Sequence, residues 1–191
     1  MKKLISIILV VAMTLSLQGC FFVAGAAAGA AAAVVAYDHR KLESILMDNQ
    51  ITHDAADKIN ADPNFKGSHI DIACFSRVVL LTGQTPTAEL REEAEAVVRN
   101  VPNVTRIYNQ IIIRAPTSSI VRTSDAWITT KIKSELLATK GMKSGTIKVV
   151  TENGIVYLMG MVSKDQAETA ATIASQVDGV QRVMKIFQYT N

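Results

Sequence analysis

The chain has 191 residues, a formal net charge of +3 and only 5% aromatic residues, so any core must be built from Ile, Val, Leu, Met and Ala. That length holds one ordinary domain or two very small ones, and so mild a charge is no argument for nucleic acid. Two cysteines, Cys20 and Cys74, in unlike contexts do not make a disulfide framework.

Lys2 and Lys3 precede the uncharged run Leu4 to Leu17, and Leu17-Gln18-Gly19-Cys20 follows. A short positive start, a short apolar core and a small residue before the cut make residues 1–19 a secretory signal. The tetrapeptide ending in Cys20 resembles a bacterial lipobox. That resemblance implies cleavage after Gly19, lipid on the Cys20 thiol and a further acyl chain on the new N-terminus. Phe21 stands where an aspartate would signal inner-membrane retention, which favours the outer membrane. The uncharged stretch continues to Ala36, so a transmembrane helix is the competing reading. Residues 21–36 are mostly Ala and Gly, weakly hydrophobic, and 20–44 reads as a lipidated low-complexity tether. One acyl chain binds only marginally, whereas two or more anchor stably. A second membrane contact would therefore set orientation, not attachment.

The rest of the chain repeats. Residues 45–114 and 122–191 align at a shift of 77, which becomes 76 past Gly83. In chain order the first copy predicts a helix over 48–61, the alternating strand HIDIACF, a partner strand VVLLTG, a helix over 87–100 and a last strand VTRIYNQIII. The linker 115–121 follows. The second copy predicts a helix over 125–139, capped by Ser124 or Asp125. The strand TIKVVTE comes next, then an Asn153-Gly154 hairpin turn and the strand IVYLMG. A helix over 164–177, closed by Asp178-Gly179, and the strand VQRVMKIFQY complete it. The fold class is α+β: two tandem α-β-β-α-β domains, each a three-stranded mixed sheet covered by two helices. Gly83 and Gly160 are expected to end their strands at a close backbone approach or bend. With Gly154 and Gly179 they form the structural glycines. Ser76-Arg77 replaces Asn153-Gly154 in the first copy, and Pro102-Asn103 replaces Asp178-Gly179, so the first hairpin is expected to use another turn. Cys74 reads as a buried small hydrophobe.

On a wheel of about 100° per residue, Ile128, Ile132 and Leu136 form the buried stripe of the third predicted helix. Trp127, the only tryptophan, falls on the opposite side with Thr130, Lys131, Ser134, Leu137 and Ala138. The first copy has Gln50, Asp54 and Asn60 where the second has Trp127, Lys131 and Leu137. The first copy carries seven Lys and Arg against nine Asp and Glu, the second nine against six. Tryptophan favours the headgroup level of a bilayer, and each basic residue near an anionic leaflet contributes about 1 kcal/mol. The second copy is thus expected to dock on anionic lipid, phosphatidylglycerol or cardiolipin. The competing reading packs Trp127 between the two domains. His39, His53 and His69 share no metal-ligand spacing, and Glu89, Glu92, Glu93 and Glu95 read as a solvated helix face. No Ser-His-Asp set, phosphate loop or dinucleotide fingerprint appears. A non-enzyme without cofactor or metal is expected.

Asn153, Gly154, Val156, Leu158 and Gly160, followed by Val177, Gly179, Val180 and Val183, make the second copy resemble the BON domain. Two such domains behind a lipobox resemble the dual BON-domain outer-membrane lipoproteins, over nearly the whole mature chain. The resemblance implies a protein held in the outer membrane by its acyl chains and facing the periplasm. Its second domain would bind anionic phospholipid and enrich it at the division site, in support of envelope integrity. The alternative it leaves open is a protein adaptor docking a cell-wall amidase regulator or the β-barrel assembly machinery.

Overall fold

The computed structural model describes residues 42–190. The segment read as a signal, Cys20, His39 and the stretch read as tether up to residue 41 lie outside the described residues. The first domain runs α1 (Leu42–Ala61), β1 (His69–Phe75), β2 (Val78–Thr85), α2 (Ala88–Arg99), β3 (Arg106–Asn109) and β4 (Ile112–Ile113). The second runs α3 (Ser119–Ala138), β5 (Ile147–Glu152), β6 (Ile155–Val162), α4 (Lys164–Ser175) and β7 (Arg182–Tyr189).

Each sheet is mixed. β1 pairs antiparallel with β2, and β3 and β4 run parallel to β2 at one constant register. β5, β6 and β7 repeat this order without a break. The helices cover one face of their own sheet. Ile51, Ala55, Ile59, Val79, Leu81, Ala94 and Val98 fill the first core. Ile128, Ile132, Leu136, Val156, Leu158, Ala167, Ala170 and Ala174 fill the second. The three alanines of α4 let its backbone sit close to the sheet. Thr87 and Ser163 cap α2 and α4 by accepting the N–H groups of Leu90 and Gln166.

The other faces of the two sheets pack on each other. Ala73, Phe75, Val78 and Leu80 from the first domain form one buried cluster with Tyr157, Met159 and Ile186 from the second. The central strands β2 and β6 are therefore covered on both sides, by helices at one residue and by the opposite sheet at the next. The order of layers is helices, sheet, sheet, helices.

Several boundaries differ from the sequence reading. α1 already includes Leu42 to Ser44, read as tether. α3 begins at Ser119, inside the stretch read as linker, so Ser124 and Asp125 lie within the helix and cap nothing. Ser118 is the N-cap residue, without a side-chain hydrogen bond. Gly83 and Gly160 lie inside β2 and β6, two residues short of their ends. A Cβ at Gly83 would stand 2.0 Å from the His69 carbonyl oxygen, and one at Gly160 would stand 2.4 Å from that of Thr146. α4 ends at Ser175, and Gly179 sits in the following turn with positive φ, 3.1 Å being the distance from its virtual Cβ to Ile128 Cδ1.

The hairpin of the first domain corrects the expectation of a different turn. Phe75 pairs with Val78 and Glu152 with Ile155, so both loops have two residues. Ser76 and Arg77 have φ of 49° and 66°, and Asn153 and Gly154 have 50° and 73°. The same left-handed turn is built from Ser-Arg and from Asn-Gly. Asn103, with φ of 70°, likewise takes the conformation of Gly179.

Candidate functional site

What holds both turns is a buried aspartate from the first helix of each domain. Asp125, 5% exposed, accepts the backbone N–H of Asn153 at 2.7 Å and of Gly154 at 2.8 Å. Asp48, 3% exposed, accepts those of Ser76 and Arg77, both at 2.8 Å. The thiol of Cys74 also donates to Asp48, at 3.3 Å. Burial, and then the charge of Asp48, push this thiol up to about 12, so it stays protonated and inert. The two aspartates are 77 residues apart, at the repeat distance. They continue the apolar stripes 51, 55, 59 and 128, 132, 136 by one turn.

By tying α3 to the β5–β6 turn, Asp125 fixes which side of α3 faces outward. Ile128, Ile132 and Leu136 are almost fully buried. Thr130, Lys131, Ser134 and Ala138 are exposed, as are Trp127 (53%) and Leu137 (65%). The six sequence-predicted residues share one outer surface. Trp127 is not among the residues of the inter-sheet cluster, and its exposure runs against the reading that it packs between the domains. It borders a groove of about 300 Å³ with Lys131, Glu135, Ile173, Gln176, Val177 and Asp178.

Two details were missed by sequence reasoning. First, Ile120 is 81% exposed and lies two turns before Trp127 on the same side of α3. It was hidden because the helix was expected to begin later. Second, the groove is not basic. Lys131 Nζ lies 2.7 Å from Glu135 Oε1, and this hydrogen bond raises the ammonium's proton affinity. Asp178 faces the same groove. The hydroxyls of Thr130 and Ser134 donate back to the carbonyls of Ala126 and Thr130. With its polar groups spent internally, the face offers an apolar strip more than a charged cradle. Uncommitted positive charge sits nearby in sequence at exposed Lys133, Lys140 and Lys143. Two of the domain's six carboxylates, Asp125 and Glu152, are buried, so its surface is more basic than its formula. Among the described residues no helix is long and apolar enough to cross a membrane.

A family model described as the BON domain matches residues 47–115 and again 124–191. The chain is 33% identical over 177 residues to the outer membrane lipoprotein DolP of Haemophilus influenzae, covering 92% of this chain and 91% of that protein. It is 36% identical to a 21 kDa hemolysin of Actinobacillus pleuropneumoniae, over 80% of this chain and 79% of the other. It is 32% identical to the osmotically-inducible protein Y of Escherichia coli K12, over 75% and 73%.

Proposed function

The chain belongs to the BON-domain family as a two-copy member of the DolP type, and from that premise we propose that its second domain docks on anionic phospholipid through the outer face of α3. The observation that carries this reading is the exposed apolar strip Ile120, Trp127 and Leu137, whose first-domain counterparts are Glu43, Gln50 and Asn60. The fold tolerates polar residues at all three positions, so the strip is an addition of the second domain and not a requirement of packing. Tryptophan seats its ring at the headgroup level, Leu137 and Ile120 reach the acyl boundary, and the lysines near the end of α3 supply attraction to the anionic leaflet. The likeness to an outer membrane lipoprotein supports lipid on Cys20 and residence in the outer membrane. The same proposal includes domains facing the periplasm, enrichment at the division site and a role in envelope integrity. The protein acts by binding, not by catalysis.

Flotation of residues 42–191 with phosphatidylglycerol vesicles tests the docking. Trp127→Glu is expected to abolish flotation without lowering the melting temperature, because the side chain supports no core. Undiminished flotation of the variant would overturn the reading. If neither protein floats, the adaptor reading takes its place.

A further inference from the structure

One end of the layer between the two sheets is polar. His69 and Asp71 on β1 share the face that carries Ala73 and Phe75 into the inter-sheet cluster, by the two-residue period of a strand. Glu152, the last residue of β5, shares the face of Val150 and Lys148, the latter donating to the Cys74 carbonyl across the layer at 3.0 Å. A ring nitrogen of His69, an Asp71 oxygen and a Glu152 oxygen all lie within 4.8 Å of one another.

Three features distinguish this group from an ordinary polar edge. His69 Nε2 is shielded from solvent and has no hydrogen-bond partner, although Asp71 Oδ2 lies 3.3 Å away. Two ligands bound at about 2.0–2.1 Å to one tetrahedral zinc are separated by roughly that distance. Glu152 is 7% exposed, and its Oε1 accepts from the Gln84 side-chain amide, whose own oxygen accepts the N–H of Thr117 at 3.0 Å. A ligand carboxylate oriented by a second hydrogen-bonded shell is the usual support of a metal site. Finally, among the described residues no Lys or Arg forms an ion pair with Asp71 or Glu152.

We propose that His69, Asp71 and Glu152 form a divalent transition-metal site, of zinc type, that joins the two domains across their sheets. One imidazole and two carboxylates suit zinc better than magnesium or calcium, which prefer all-oxygen shells. The site is independent of whether α3 meets lipid.

The test is titration of the full chain, in detergent micelles and stripped of metal, with zinc chloride. One saturable site per chain is expected, uncontested by excess magnesium or calcium, with a rise in melting temperature. His69→Gln and Glu152→Gln keep shape, and the latter keeps an acceptor for Gln84. Each should weaken zinc binding at least about tenfold, since loss of even a second-shell partner costs that much, and each should melt like wild type in chelator. Equal zinc binding by wild type and His69→Gln would place the metal elsewhere and overturn the proposal. Loss on His69→Gln with none on Glu152→Gln would overturn the bridging of the two domains. Absence of saturable binding by wild type would remove the site altogether.

Discussion

At the scale of single residues, the two buried aspartates explain how one turn is written in two sequences. A buried carboxylate is costly unless partnered. Asp48 and Asp125 each accept two backbone N–H groups at 2.7–2.8 Å, and hydrogen bonds to a charged group contribute about 1.5–3 kcal/mol apiece. Asp125→Ala is therefore expected to cost about 3 kcal/mol in urea denaturation, and Asp125→Asn, with one acceptor oxygen left, to recover part of that. Asp48→Ala should cost more. Its turn places Ser76 and Arg77 at positive φ, where a non-glycine residue is strained by roughly 1–2 kcal/mol, and the carboxylate binds both of their N–H groups against that strain. Equal stability of Asp48→Ala and wild type would show the turn to be self-supporting. The repeat spacing exposes this pair in the sequence, and so does their place in the apolar stripe. Their role was not legible there, because Asp125 precedes the first apolar residue of the predicted helix and so imitates a cap. Its true partner lies 28 residues away.

At the scale of elements, what the sequence made legible follows from periodicity, and what it hid follows from the lack of it. The buried stripe of α3 marks the helix from residue 125 onward, but from Ser119 to Ser124 only Val121 is half-buried and the rest are exposed. The helix extension and the exposure of Ile120 were invisible for that reason. The last strand of the first domain reads as continuous yet breaks between β3 and β4. Asn109 occupies a core-facing position between Ile107 and Ile111. Its amide turns to the Arg91 carbonyl at 2.9 Å and to Glu95 at 3.2 Å, while its oxygen accepts the N–H of Ile111 at 3.2 Å, displacing regular pairing. The glycines inside β2 and β6 face equivalent neighbours under different strain. Gly83 combines the 2.0 Å approach with φ of 110°, whereas Gly160 has the 2.4 Å approach alone. Alanine at either site must push a strand backbone aside. Gly83→Ala should lower the melting temperature further than Gly160→Ala, and a reversed order in thermal denaturation would show that φ is not the deciding term.

At the scale of the whole molecule, the inter-sheet layer makes the two repeats one folding problem. VVLLTGQT and IVYLMGMV open on the unbroken apolar runs VVLL and IVYLM, the pattern of strands buried on both faces. Reading each domain as two layers left half of these residues unexplained, and the opposite sheet accounts for them: Leu80 and Met159 are both essentially inaccessible. The single tryptophan lies in the second domain, so its fluorescence reports that domain's unfolding, whereas far-UV dichroism reports both. Coincident urea transitions by the two probes are expected, as for any two-state unit. Leu80→Ala, a truncation in the first domain that costs about 2–5 kcal/mol, should lower the midpoint seen by Trp127. A fluorescence midpoint unmoved by Leu80→Ala, with dichroism split into two steps, would mean that the sheets touch without sharing stability. If the midpoints move together, any ligand that binds the native form of one domain stabilises the other through the same layer by mass action. The two repeats then unfold as one cooperative body.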